Sequence, residues 1–132
     1  MREENFADIA FEMKDKLAFI SMPYYSNDKE VSKQRFEQVL YLSYLLMLEG
    51  VHYMSPIISG HPVVERYQTP DNWDFWGKYC ERILRNCDCL IIFQLEGWDK
   101  SGGVAEEIRI AQEMGLPIYV VTDQFKFIPH SY

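Results

Sequence analysis

The chain has 132 residues, 48% of them apolar and 25% charged. That fits one compact domain able to bury a core without disulfides, and it excludes general disorder. Acidic residues outnumber basic ones by 20 to 13, for a net charge of −7, which argues against nucleic acid as a partner because a phosphate backbone needs a basic footprint. A small phosphorylated ligand stays within reach, since a few backbone N–H groups can hold it. Cys80, Cys87 and Cys89 match neither zinc-ligand nor CxxC spacing, and they read as reduced thiols of a cytoplasmic protein. No apolar run approaches the ~20 residues of a membrane span. The opening residues MREENFADIAFEMKDK lack the apolar centre of a signal peptide, so neither export nor a membrane partner is expected. An aromatic content of 15% favours a ligand pocket or a subunit interface and is equally compatible with an aromatic core.

Residues 1–16 form an N-terminal extension, with the main domain over 17–132. Phe6, Ile9, Ala10 and Met13 fall at helical spacing, which leaves a docking helix and a frayed tail both open. Leu17 to Ser21 reads as a short buried strand, broken at Pro23. Ser26, Asn27 and Asp28 are turn or cap residues before a helix over 29–49, with Phe36, Val39, Leu40, Leu46 and Met47 as its apolar face and Gly50 as its stop. Val51 to Met54 is a second strand. From Ser55 to about Pro70 the sequence reads as a long binding loop or lid carrying His61. Asp71 or Asn72 can cap a helix over 73–86, on which Trp76, Tyr79, Cys80, Ile83, Leu84 and Cys87 share a face. Cys89 to Phe93 is the strongest buried-strand signal. A loop over 94–101 leads to a helix that ends at Gly115, followed by a strand over 118–121 and by Phe125-Lys126-Phe127-Ile128, which suits a short edge strand.

Short apolar runs alternating with helices imply an α/β fold: a doubly wound, flavodoxin-like parallel sheet of four or five strands with helices on both faces. Ligands of such sheets sit outside the carboxyl ends of the strands. Four segments should meet there: Ser21 to Tyr25, Ser55 to Ile58, Leu95 to Ser101, and Thr122 with Asp123.

The densest chemical signal runs from Gly97 to Glu107. Glycine lets backbone approach a ligand, and a helix start offers free N–H groups to an anion. Ser101 adds a hydroxyl, and Glu107 lies far enough into the helix to face the same crevice. An ordinary strand-to-helix turn explains the same residues. The segment is neither GxGxxG nor GxxxxGK[ST], which counts against NAD or ATP in their usual sites. Tyr24, Tyr25, Trp73, Trp76 and Trp98 suit stacking on a base or packing in a core or rim. His61 reads as a phosphate or proton partner or as a solvated loop residue. Asp88 should bond backbone where helix meets strand. No cluster has metal-ligand spacing, so neither a metal nor a cofactor is expected.

Four pieces of the chain carry a resemblance to a known family: Ser21-Met22-Pro23-Tyr24-Tyr25; Ser55-Pro56-Ile57 with His61-Pro62; Trp73-Asp74-Phe75-Trp76 leading to Cys87-Asp88; and Gly97-Trp98 followed by Ser101, Gly103, Val104 and Glu107. Over about residues 17–121 the sequence resembles the nucleoside 2-deoxyribosyltransferase superfamily, in particular its small branch filed as DUF1937. The resemblance implies cleavage of the N-glycosidic bond of a nucleoside or nucleotide. It assigns the nucleophile to a glutamate six residues after a small polar residue with glycine between, which Ser101, Gly103 and Glu107 fit. An oxocarbenium-like centre needs such a carboxylate beside it. Deoxyribosyltransferases usually carry aspartate where Ser101 stands, whereas the related 5′-monophosphate N-hydrolases carry serine, so Ser101 points to a 5′-monophosphate.

The residues expected to hold substrate are Ser21, Pro23, Tyr24, Tyr25, Ser55, His61, Trp76, Cys80, Trp98, Ser101 and Gly103. A homo-oligomer, dimeric or higher, is implied by the resemblance alone. One departure matters: Cys80 stands where the family often places an aspartate that holds or protonates the leaving base, and a thiol is a poor substitute. Cys80 reads better as a small buried hydrophobe, in which case the proton comes from elsewhere, such as His61 or solvent, or base specificity differs, or activity is lost. The rival readings are a nucleotide-binding or sensing module that cleaves nothing, and an interaction protein using exposed aromatics.

Overall fold

Strands form where the apolar runs lie. The computed structural model describes residues 5–70 and 73–129. Its strands are β1 (Leu17–Ser21), β2 (His52–Met54), β3 (Cys89–Gln94), β4 (Ile118–Thr122) and a two-residue β5 (Phe127–Ile128). They make one sheet in the order β2-β1-β3-β4-β5. β1 pairs in parallel with β2 and with β3, and β3 in parallel with β4, whereas β5 runs antiparallel to β4. The fold is therefore mixed α/β with a mostly parallel five-stranded sheet. The antiparallel edge corrects the expectation of a wholly parallel sheet. Thr122 Oγ1 accepts from the N–H groups of Gln124 (3.3 Å) and Lys126 (3.1 Å), making a tight turn with no length for a parallel crossover.

Alternation along the strands divides the core in two. On one face Ala18, Ile20, Ile91 and Phe93 pack with Val39, Leu42 and Leu46 of α2 (Lys29–Leu48). On the other, Phe19, Leu90 and Ile92 pack with Cys80 and Leu84 of α4 (Trp73–Leu84) and with Val104, Ile110 and Ala111 of α5 (Gly102–Met114). Each buried aliphatic or aromatic side chain contributes about 1.5–3 kcal/mol. The described part of the N-terminal extension docks: helix α1 (Ile9–Glu12) sends Ile9 into the first core, and Met13 follows it.

α2 starts where Asp28 accepts from the Glu30 N–H at 2.9 Å, and the chain turns at Gly50 with φ +73°. Its inward face differs from the expected one. Val39, Leu42, Ser43 and Leu46 follow the i, i+3, i+4, i+7 rule and are buried, whereas Leu40 and Met47 lie one residue further round and are 39% and 67% exposed. Asp88 bonds backbone as expected, its Oδ2 accepting from the Leu17 N–H at 2.7 Å. The cap expected from Asp71 or Asn72 lies outside the described residues.

The largest correction falls on the segment read as a long loop. It is helix α3 (Pro56–Tyr67). Ser55 caps it, Oγ accepting from the Ile58 N–H at 3.2 Å, and Pro56 occupies the first turn, where no N–H is needed. Gly60 and Pro62 disguise the helix in the sequence. Pro62 stands inside the helix, where it has no N–H to give the Ile58 carbonyl, and Gly60 is needed because a Cβ there would sit 2.9 Å from the Trp76 ring of α4. Among the described residues, no helix is long and apolar enough to cross a membrane.

Candidate functional site

The carboxyl ends of β1, β2 and β3 open into a cleft of about 740 Å³. Its floor is set by the strand-to-helix segment after β3. Gly97 has φ +91°, a backbone geometry that calls for glycine, and a Cβ there would come 3.2 Å from Arg35 Nη2. Trp98–Lys100 makes one 3-10 turn, and Ser101 then caps α5, its Oγ accepting from the Val104 N–H at 3.2 Å. The helix start is aimed at the cleft, with Ser101, Gly102 and Gly103 in its lining. First-turn N–H groups of a helix have no partner within it, so this end presents donors to an anion.

Glu107 lies in the second turn of α5, lines the cleft and is 6% exposed. Its Oε1 accepts from Ser21 Oγ at 2.6 Å, at the carboxyl end of β1. Burial pushes the carboxyl up to about 8, outweighing the Ser21 hydrogen bond, which acts the other way. Glu107 has no ion-pair partner among the described residues. Its neighbour Glu106 behaves oppositely: Arg109 grips it at 2.5 Å and holds its carboxyl below the usual range. Two adjacent glutamates are thus separated into a paired surface charge and a buried, unneutralised carboxyl that opens on space.

Cys80 of α4 lines the cleft near Glu107. Burial first, and the Glu107 charge second, push its thiol up to about 12, so it remains a neutral thiol. Trp73 lies across Gly77, where a Cβ would meet its ring at 2.8 Å, and its edge reaches Gly103. Trp76 packs against Gly60 and donates from Nε1 to the Pro70 carbonyl at 2.7 Å. These two rings give the α3–α4 side an apolar, aromatic surface.

His61, expected in a loop, is on α3 and 8% exposed, with its ring on the cleft. Its Nδ1 is hydrogen-bonded to the Tyr24 hydroxyl, and its ring stacks on Phe36 with centroids 4.2 Å apart. Pro23, Tyr24 and Tyr25 line the cleft on the β1 side. Three expected site residues do not reach it. Ser21 lies behind Glu107, Ser55 is occupied in capping α3, and Trp98 packs against the second core. Thr122 and Asp123, expected at the cleft, belong to the β4–β5 turn instead.

Two cations were not legible in the sequence as site residues. Arg35 of α2 donates from Nη1 to the carbonyls of Tyr24 (3.3 Å) and Tyr25 (3.1 Å), and from Nη2 to that of Glu96 (3.0 Å), tying together the loops after β1 and β3. Lys100 lines the rim. An arginine in the polar first turns of a helix looks like any solvated residue, and only the glycine it abuts, Gly97, carries a trace of it. Among the described residues no group of three or more His, Cys, Asp or Glu side chains is placed to hold a metal ion.

Fold and cleft together define a mixed α/β protein whose candidate site is a buried carboxyl at the carboxyl edge of the sheet, in a cleft also lined by a helix start and two cations. The chain belongs to the family described as Domain of unknown function (DUF1937), whose model matches residues 16–123, from just before β1 to just after β4. Comparison with curated proteins gave no match.

Proposed function

We propose that this protein cleaves the N-glycosidic bond of a nucleoside or 2′-deoxynucleoside 5′-monophosphate, with Glu107 as nucleophile. The observation that carries the reading is the Glu107 carboxyl, buried, oriented by Ser21, unpaired, and open on a cleft large enough for a nucleotide. After its proton passes to solvent, the Glu107 carboxylate attacks C1′ while the C1′–N bond breaks and its electrons leave with the base, which takes up a proton. The sugar is held as a glycosyl ester of Glu107. Water, or the nitrogen of a second base, then displaces the carboxylate and completes hydrolysis or transfer. Burial serves this chemistry, because a poorly solvated carboxylate gains most from a cationic sugar beside it.

The anion-ready side of the cleft takes the phosphate: the N-terminus of α5 with Ser101 and Gly103, and the cations Arg35 and Lys100. The aromatic side with Trp73 and Trp76 takes the base. This division supports placing the family within the nucleoside 2-deoxyribosyltransferase superfamily. Strand order β2-β1-β3-β4-β5, with cores on both faces, supports a doubly wound, flavodoxin-like arrangement. The reading extends to a cytoplasmic homo-oligomer: the three cysteines are free thiols, and α2 exposes Tyr41, Tyr44, Met47 and Leu48 along its outer side.

The test is incubation of the protein with a panel of ribo- and deoxyribonucleoside 5′-monophosphates, followed by chromatography for free base, with Glu107→Ala alongside. Base release that Glu107→Ala abolishes is expected. Activity surviving in that variant within about tenfold, ~1.4 kcal/mol in the barrier, would remove Glu107 from the chemistry. A second reading, binding without cleavage, is favoured by Cys80 in place of a carboxylic acid at the base side. It predicts a thermal shift with nucleotides and no released base.

A further inference from the structure

The proposed cleavage leaves one demand unmet: the departing base needs a proton. Cys80 is a weak source, since its thiol is pushed up to about 12. Glu107 is engaged at C1′, and Glu106 is held as an anion by Arg109. We propose that His61 is the general acid for the leaving base and that Tyr24 positions its ring. The assignment rests on the nucleophile reading of Glu107 and adds to it.

Three contacts fix the ring. Phe36 covers one face, with an interplanar angle of 24°. Tyr24 meets it edge-on at 82° and bonds Nδ1 through its hydroxyl. α3 supplies the backbone, and Gly60 next in sequence lets that helix close against Trp76. Tyr24 is the only hydrogen-bond partner of the His61 side chain among the described residues, so Nε2 is left without one. A side chain 8% exposed, whose remaining surface lines the cleft, presents that nitrogen to whatever occupies it. An imidazole nitrogen without a protein partner on a cleft wall is free to donate to, or accept from, a ligand that fills the cleft. Imidazole is also the side chain used most often for proton transfer in enzyme sites.

The step balances. The imidazolium, held through Nδ1–H to the Tyr24 oxygen, gives its Nε2 proton to a ring nitrogen of the base as the C1′–N electron pair moves onto the base. The neutral base leaves, His61 is left as neutral imidazole, and solvent returns the proton. Tyr24 itself transfers nothing. It sets which nitrogen of His61 faces the substrate.

The discriminating substrate is a purine nucleoside 5′-monophosphate methylated at N7. Its base is already cationic and departs without a proton. The experiment compares that derivative with the unmethylated nucleotide, ribo and deoxyribo, across wild type, His61→Asn, His61→Gln, Tyr24→Phe and Glu107→Ala. Asparagine keeps a group where Nδ1 bonds Tyr24 but removes the outer nitrogen, whereas glutamine restores a donor near the Nε2 position. The expected result for His61→Asn is a kcat lowered about 100-fold or more on the unmethylated nucleotide with KM little changed, and a rate within about threefold of wild type on the methylated one. His61→Gln should recover part of the loss, and Tyr24→Phe should fall between. Retained turnover of the methylated substrate also shows that each variant is folded.

Equal slowing on both substrates would overturn the acid role, as would an unmethylated rate within threefold of wild type. Glu107→Ala should lose both substrates. If it loses neither, the nucleophile reading fails, and that failure is separate from the comparison of the His61 variants. If wild type releases no base from either substrate, both assignments fall.

Discussion

The two sides of the cleft use opposite means. The side built by the loop after β3 and the start of α5 is polar and backbone-rich, with Gly97, Ser101, Gly102 and Gly103 letting N–H groups and the Arg35 and Lys100 cations approach a ligand. The side built by α3 and α4 is made of rings, with Trp73 and Trp76 packed over Gly77 and Gly60. Glycine serves both, but differently: in the first it frees the backbone for a ligand, and in the second it lets an indole lie flat on a helix. A ligand fitting both must be anionic at one end and flat and apolar at the other, with its reactive centre between them, above Glu107.

The comparison breaks most visibly at Glu107. Glu107→Gln should lower kcat by about 1000-fold or more, ~4 kcal/mol in the barrier, while nucleotide binding by thermal shift persists. Loss of binding along with turnover would make Glu107 a ligand anchor instead.

The same residue carries a pH signature in stability. Its folded carboxyl sits at about 8 against an ordinary value of 4.5, so between those limits the folded protein holds a proton that the unfolded chain has released. The contribution is complete below about 4.5, falls as pH rises, and is gone above about 8. Denaturant titrations from pH 5 to 9 should therefore show Glu107→Gln gaining on wild type by roughly 2–4 kcal/mol as pH rises. Parallel curves would mean that the carboxyl is ionised in the folded state at all these pH values.

The polar side is sharpened by Arg35→Met. It should raise KM for a 5′-monophosphate about 30-fold, ~2 kcal/mol, and leave KM for the matching nucleoside within about threefold. A common rise for both would reduce Arg35 to a tie between loops. On the aromatic side, Trp73→Leu should raise KM about tenfold for nucleotide and nucleoside alike, the cost of one lost stacking surface. Dependence on the phosphate there would erase the distinction between the sides. The smallest effect is expected of Ser101→Ala, which loses a helix cap worth about 1 kcal/mol in thermal or chemical denaturation. If its KM for the monophosphate also rises severalfold, the hydroxyl serves ligand as well as helix.

Much of the polar side was legible in the sequence because backbone chemistry writes itself into residue types. Gly97 marks a positive φ, Ser101 marks a helix start, and Glu107 follows at helical distance. The strands were legible for a similar reason, since a parallel strand buried on both faces is a nearly unbroken apolar run. The aromatic side was hidden. Gly60 and Pro62 in α3 look like breakers, and Pro62 does stand inside the helix, but Gly60 lets α3 close on Trp76, so tertiary packing overrides local propensity. His61 consequently reads as a loop residue and is a buried one. Arg35 was invisible because its role lies in three carbonyls on distant loops, Tyr24, Tyr25 and Glu96, which no local pattern reveals. Helix α1 stood open for want of length, and its docking rests chiefly on Ile9 and Met13.

The most direct measurement is the mass of a trapped intermediate. On a nucleoside 5′-monophosphate, 2′-fluorine slows both steps by destabilising a cationic C1′, and a base methylated at N7, which departs readily, makes arrival of the sugar on the enzyme faster than its loss. Intact-mass and peptide analysis should find one fluorinated sugar phosphate per chain, esterified to the peptide containing Glu107, with free base released in equal amount. Base release with no adduct, or an adduct on another residue, would contradict the assignment of Glu107 as the group that bonds C1′.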